Sequence, residues 1–217
     1  MLIIFDLDNT LIDRNKAYLE WFREWYTTKH TRAMIDNKLL SKIMDVDNNG
    51  ECEPLESGSK ILSLIDDKTS TAEEYWAMSE ALIDFIRPCK DVNQCLDTLS
   101  NRYQLALLTN GSINRQEKKL KNSALAKYFD LIRVSGGLGF KKPEPEAFAS
   151  IYDHFNRAPE ECLMVGDSEA NDIAPAKELG MRTVKVSGFL HNDKNRSIAD
   201  VSINHVSELM SYLHDQC

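Results

Sequence analysis

Short apolar runs recur along this chain at 2–5, 104–108, 131–134, 163–165 and 183–186. Each is bounded by turn or cap residues, and each reads as a buried strand. The gaps between them carry apolar positions at helical spacing. Segments 91–99, 113–121, 145–155 and 170–179 are expected helices, the last closed by Gly180. Strand and helix in alternation imply an α/β fold, an open parallel sheet with right-handed crossovers and helices on both faces.

One long stretch breaks the alternation. Between residues 14 and 87 there are no comparable strand runs. Tyr18, Leu19, Phe22, Trp25 and Tyr26 recur at helical spacing, as do Ile61, Leu62 and Ile65, and later Trp76, Leu82, Ile83, Phe85 and Ile86. An all-helical subdomain is expected at 14–87, inserted after the first strand into a Rossmann-like core made of 1–13 and 88–217. Its aromatic residues read mainly as its own core. Trp21 falls off the main stripe and is expected to be the more exposed. The candidate catalytic residues lie outside the insert, at strand ends, which makes it a candidate lid.

With 217 residues, 42% of them apolar and 28% charged, the chain can bury a core without staples. Its net charge of -8 repels phosphate backbones and anionic lipids, which argues against nucleic acid or membrane as a main partner. No apolar stretch approaches the roughly 20 residues of a membrane span. The five cysteines are odd in number and show no metal-ligand spacing, so reduced thiols and a cytoplasmic setting are expected. Composition leaves the oligomeric state open.

The polar residues at the strand ends carry the chemistry. In an open α/β sheet, ligands bind at the carboxyl ends of the strands. The first strand delivers Asp6 and Asp8, the second Thr109-Asn110-Gly111, and a later one Gly166-Asp167-Ser168 with Asn171-Asp172 just beyond. Asp6 and Asp8 are two apart, so on a regular strand both point the same way. Neighbouring carboxylates repel and call for a cation or a shared proton. An all-oxygen set without His or Cys suits a hard ion, Mg²⁺ above all, which prefers carboxylates, waters and phosphate oxygens. In Lys141-Lys142-Pro143-Glu144-Pro145 the prolines fix an extended entry and a helix start, holding a lysine on the same rim. Its ammonium can bind phosphate and offset the carboxylates.

A separate pattern lies in the insert. Residues 45–56 run Asp-Val-Asp-Asn-Asn-Gly-Glu-Cys-Glu-Pro-Leu-Glu, matching a calcium loop with Gly50 at the turn and Glu56 at the bidentate position. A calcium-binding module is one expectation for this segment. A polar turn between two helices, with Pro54 in the first turn of the second, is the other.

Taken in order, the strand-end clusters resemble the four motifs of the haloacid dehalogenase superfamily. Asp6-Leu7-Asp8-Asn9-Thr10 is similar to its D-x-D-x-T motif and Thr109-Asn110-Gly111 to the second. Lys142-Pro143 is similar to the third, and Gly166-Asp167-Ser168-Glu169-Ala170-Asn171-Asp172 to the fourth. The insert resembles the family's helical cap. The resemblance covers nearly the whole chain and implies a phosphatase. Asp6 would attack phosphorus to form an aspartyl-phosphate, and Asp8 would serve as general acid and then general base. Thr109 and the Asn110 amide would hold phosphoryl oxygens, and Lys142 would neutralise charge. Asp6, the Asp8 carbonyl and Asp167 would hold Mg²⁺, with Asp172 supporting that shell. The implied partner is a small phosphorylated metabolite: a nucleoside monophosphate, a sugar phosphate or phosphoglycolate.

Two rival enzymes share the resemblance. A 2-haloacid dehalogenase attacks carbon without a metal, but that branch carries a tyrosine where Asp8 stands. A carboxylic acid there suits protonation of an alkoxide, whereas halide needs no proton to leave. A sugar phosphomutase would return the phosphoryl group to its substrate from the same site.

Overall fold

The computed structural model describes residues 1–30, 35–191 and 196–214. The chain divides into two compact units. One comprises Met1–Ile12, Arg87–Phe189 and Lys194–Cys217, and the other Asp13–Ile86 with Leu190–Asp193.

The first unit is built on a six-stranded sheet in the order β3-β2-β1-β4-β5-β6. Its strands are β1 (Leu2–Phe5), β2 (Gln104–Thr109), β3 (Leu131–Val134), β4 (Cys162–Gly166), β5 (Arg182–Val186) and β6 (Val201–Ile203), and every pairing is parallel. Strand β1 is central, with Leu2 opposite Gln104 on one side and Cys162 on the other. Covered on both faces, it has no polar side to show, so its four residues form an unbroken apolar run. Leu2 and Ile4 point to the face where Ala106, Leu108 and Met164 meet Ala147, Phe148 and Ile151. Burying an aliphatic or aromatic side chain this fully stabilises by about 1.5–3 kcal/mol.

The sequence pattern marks five of these strands. The sixth, Val-Ser-Ile, is too short and too polar at its centre to register. It is placed by Asp200, whose carboxylate accepts from the Thr183 amide at 2.8 Å and from its hydroxyl at 3.0 Å.

The second unit is helical: α1 (Arg14–Lys29), α2 (Asn37–Asp47), α3 (Pro54–Leu64) and α4 (Ala72–Ser79). The Asp13 side chain caps α1 by accepting from the Lys16 amide at 2.8 Å, and Thr71 with Glu74 forms a capping box on α4. Trp21 is buried, at 4% exposure, against the expectation from its spacing. Tyr18, Trp21, Phe22 and Trp25 lie at i, i+3, i+4 and i+7, a single helical stripe, and Leu19 lies beside it rather than on it. Trp21 stacks on Trp25 and meets Tyr75 edge-on, with ring centroids 5.9 and 5.6 Å apart. Below them the Tyr18 and Tyr75 hydroxyls share a hydrogen bond of 2.6 Å.

Five further helices belong to the first unit: α5 (Lys90–Ser100), α6 (Ile113–Ser123), α7 (Pro145–Tyr152), α8 (Ala174–Glu178) and α9 (Leu209–His214). No described helix is long and apolar enough to cross a membrane.

Candidate active site

Strand β1 lies where the strand order reverses, with β2 on one side and β4 on the other. A crevice opens at the carboxyl end of such a strand, and the first residue beyond β1 is Asp6. Its amide continues the ladder to the Val165 carbonyl at 2.9 Å. The chain then turns tightly. The Leu7 carbonyl accepts from both the Leu11 and Ile12 amides, and Asn9 takes a left-handed φ of 57° that asparagine tolerates. That turn folds Thr10 back so that its hydroxyl donates to Asp6 Oδ2 at 3.2 Å and lies 3.4 Å from Asp167 Oδ1.

Lys142 closes the cluster. Its Nζ lies 2.6 Å from Asp6 Oδ1 and 2.6 Å from Asp172 Oδ1, and the residue is 2% exposed. Its backbone is clamped by Asn110, whose Nδ2 donates to the Lys142 carbonyl at 2.8 Å while its Oδ1 accepts from the Lys142 amide at 3.0 Å. A side chain at the end of β2 thus positions a lysine in the loop before α7. Burial alone would lower the Lys142 pKa, but the carboxylates of Asp172 and Asp6 outweigh it and hold the ammonium above the usual lysine range. Burial pushes Asp6 up to about 7; Lys142 opposes that rise, while Asp172 and Asp8 add to it.

The fourth cluster follows β4. Asp172 sits in a single wide turn, Glu169–Ile173, of the π type often found at functional sites. Its Oδ2 accepts from the Ser168 amide at 3.1 Å and its own amide donates to the Ser168 carbonyl at 2.9 Å. Gly166 makes this possible, because a Cβ there would run into the Asp172 carboxylate. Gly166→Ala is therefore expected to displace Asp172 and, through it, Lys142. A cost of about 1–3 kcal/mol in stability from overpacking, and a loss of roughly 10²-fold in turnover from misplacement of about 1 Å, are the expected results. Thermal denaturation and steady-state kinetics would check both.

Asp6, Asp167 and Asp172 offer carboxylate oxygens within 4.8 Å of one another, all three residues buried. The Asp8 carboxylate is turned elsewhere, toward α6. Lys119 Nζ meets both of its oxygens at 2.8 and 2.7 Å, and Gln116 Nε2 donates to Oδ2 at 3.1 Å and to Thr109 Oγ1 at 2.5 Å. The seven residues Asp6, Asp8, Thr109, Asn110, Lys142, Asp167 and Asp172 thus fall in one unit, in two groups of contacts: Lys142 and Thr10 join Asp6, Asn110, Asp167 and Asp172, and Gln116 joins Asp8 to Thr109. Gln116 and Lys119 were not singled out. Their signal was weak but present: α6 has only Ile113 and Leu120 as large apolar residues, so part of its inward face has to be polar.

The charges test whether Mg²⁺ fits. Asp6, Asp8, Asp167 and Asp172 are four carboxylates set against two ammoniums, Lys119 and Lys142. A divalent cation would balance the difference, and the donors are all oxygen, as a hard ion requires.

The calcium loop is not assembled. Asp45 and Asp47 belong to the last turn of α2, where residues two apart point about 200° away from each other. The Asp47 carboxylate is buried against the Arg14 guanidinium, with Nη2 at 2.9 Å from Oδ1. Asp45 lies 3.1 Å from His191 Nε2, and Glu56 pairs with Lys60 at 2.5 Å. Asn49 Oδ1 accepts from Asn15 Nδ2 at 2.7 Å. Oxygens that a calcium ion would gather are spent on separate partners. Residues 48–50 form a left-handed turn, and Pro54 opens α3 at its first position, as in the alternative expectation.

Comparison with known proteins gives the family. The model for haloacid dehalogenase-like hydrolases matches residues 3–186. The glyceraldehyde 3-phosphate phosphatase of Pyrococcus furiosus is 28% identical over 224 residues, covering 98% of this chain and 92% of that protein. The phosphoserine phosphatase of Thermus thermophilus is 37% identical over 105 residues, a match that spans 48% of this chain and 42% of that protein. Among solved structures, the magnesium-bound HAD-hydrolase YfnB of Bacillus subtilis aligns with a TM-score of 0.78 at 21% identity, over 98% of this chain and 97% of that one, a likeness of fold. The chain belongs to the haloacid dehalogenase-like hydrolases and is an enzyme of their phosphatase type.

Proposed function

We propose that this enzyme hydrolyses a small phosphomonoester, with Mg²⁺ held at the strand-end carboxylates and Asp6 as the nucleophile. The observation that carries this reading is the pinning of Asp6 at the end of the central strand, with Lys142 on one oxygen and Thr10 on the other. An oxygen nucleophile fixed on both sides beside a buried cation suits in-line phosphoryl transfer, which needs positioning and charge stabilisation more than covalent chemistry.

In this reading Asp6 attacks phosphorus and the ester oxygen leaves. Asp8 gives that oxygen a proton, then takes one from the water that hydrolyses the aspartyl-phosphate. The Thr109 hydroxyl and the Asn110 amide hold phosphoryl oxygens, and Lys142 offsets their charge. The Asp6 and Asp167 side chains with the Asp8 carbonyl would hold Mg²⁺, and Asp172 supports the arrangement through Lys142. Bound there, the ion would shield the carboxylates from one another and draw phosphoryl oxygens toward Asp6. An acid at Asp8 serves an alkoxide leaving group and has no task with halide, so hydrolysis of a phosphate ester is preferred over dehalogenation.

A small phosphorylated metabolite is the proposed substrate, and the helical segment 14–87 is the proposed source of selectivity among such compounds. Cys52, Cys89, Cys95 and Cys162 are free thiols, which supports a cytoplasmic setting. A panel of nucleoside monophosphates, sugar phosphates, phosphoglycolate and an aryl phosphate tests the proposal. Phosphate release should require Mg²⁺ and stop on chelation. Release unaffected by chelation, or halide release from a 2-haloacid without metal, would contradict it.

A further inference from the structure

Helix α6 follows directly on the Thr109 loop and turns two polar side chains inward. Gln116 is 1% exposed and Lys119 is 6% exposed. They stand at i and i+3, so they project from one face of the helix. Lys119 Nζ spans both Asp8 oxygens, and the Gln116 amide bridges Asp8 Oδ2 and Thr109 Oγ1. Burying a lysine at the foot of a partly exposed carboxylate is costly unless the geometry is used.

The direction of the Gln116 hydrogen bonds is informative. An amide nitrogen only donates, so Thr109 accepts through its oxygen and keeps its own proton to offer elsewhere. On the phosphatase reading, that proton is aimed at a phosphoryl oxygen. Asp8 stands on a turn and has two side-chain torsions of its own. Three hydrogen bonds from α6 fix both, and the same amide sets the separation between the group that serves the leaving oxygen and the group that grips the phosphoryl oxygens.

We propose that Lys119 and Gln116 are positioning residues for this reaction: Lys119 orients Asp8 for proton transfer to the leaving oxygen, and Gln116 couples that orientation to Thr109. The proposal rests on the phosphatase reading of Asp8 and Thr109. Neither residue touches substrate in this scheme.

A leaving-group series separates this role from a structural one. Proton donation matters most for a poor leaving group and little for a good one. In Lys119→Met, kcat/KM on alkyl phosphates is expected to fall by roughly 10²-fold or more, the span of general acid catalysis. On 4-nitrophenyl phosphate the expected fall is only a few-fold, with KM near the parent value. Lys119→Arg should recover part of the alkyl activity. Gln116→Leu, which leaves no charge unbalanced and serves as the test if the lysine variant fails to fold, should show the same slope and also a raised KM through Thr109. Asp8→Asn is the control. If it steepens the leaving-group dependence and the Lys119 and Gln116 variants do not, the positioning proposal is wrong and the phosphatase reading stands. If Asp8→Asn leaves the dependence unchanged, the role of Asp8 falls and the proposal falls with it. A further loss in the Asp8→Asn, Lys119→Met double variant as large as in Lys119→Met alone would also overturn it, because residues acting through one group are not additive.

Discussion

Asp6→Asn is expected to abolish turnover, by about 10⁴-fold or more, while leaving the fold intact. The substitution is isosteric. Its amide oxygen can still accept from Lys142, where Asp6 Oδ1 does so at 2.6 Å, and its nitrogen can donate to the Thr10 hydroxyl, which lies 3.2 Å from Oδ2. Lys142 also keeps its second partner, Asp172. Nothing in the packing of β1 changes, so the melting temperature should move by only a few degrees, as for a change of about 1 kcal/mol in a chain of this size. What is lost is the negative oxygen that attacks phosphorus. Circular dichroism with a phosphate-release assay would check both halves of the expectation.

The second large effect is expected at Lys142, and here stability and activity should fall together. The ammonium is 2% exposed and is the shared partner of two carboxylates, on Asp6 and Asp172. Lys142→Met keeps the length and the apolar stem but leaves both carboxylates buried without that cation. Breaking a buried ion pair from one side costs about 3–5 kcal/mol, or roughly 6–20 °C in Tm for a domain of this length. Turnover should fall by about 10²–10³-fold from the lost charge stabilisation alone. Asp172→Asn is the milder counterpart, since it keeps the volume and an acceptor for Lys142. The two variants differ in which charge is stranded, so a larger melting shift in Lys142→Met is the discriminating result.

Much of this site was legible in the sequence because its chemistry is written at strand ends. Asp6 and Asp8 follow an unbroken apolar run, and Thr109 and Asp167 close two others. A buried parallel sheet imposes that pattern, since covered strands must be apolar and polar residues can begin only at the rim. Lys142 was legible through the prolines around it. Gln116 and Lys119 were not, because their roles depend on a contact with Asp8 more than a hundred positions upstream in the chain. A solvated lysine and a buried one look alike in a helix read alone.

The same limit applies elsewhere in the chain. Residues 45–56 satisfy a calcium-loop pattern letter by letter, yet Asp47 is claimed by Arg14, thirty-three positions away in sequence. Asp45 is carried out of register by the helix itself. Trp21 reads as off the stripe because Leu19 and Tyr26 pull the apparent stripe by one residue, whereas 18, 21, 22 and 25 form the packed face around Tyr75. Strand β6 leaves no mark in the pattern because three residues at a sheet edge do not need an apolar run.

The most direct test of the central claim is to trap the covalent intermediate. Enzyme turning over with Mg²⁺ and a phosphomonoester would be acid-quenched and treated with borohydride, which reduces an acyl phosphate to the alcohol. Peptide mapping should then find homoserine at position 6 and none in the Asp6→Asn protein. Reduction at a different carboxylate, or an intermediate that persists in Asp6→Asn, would contradict the account.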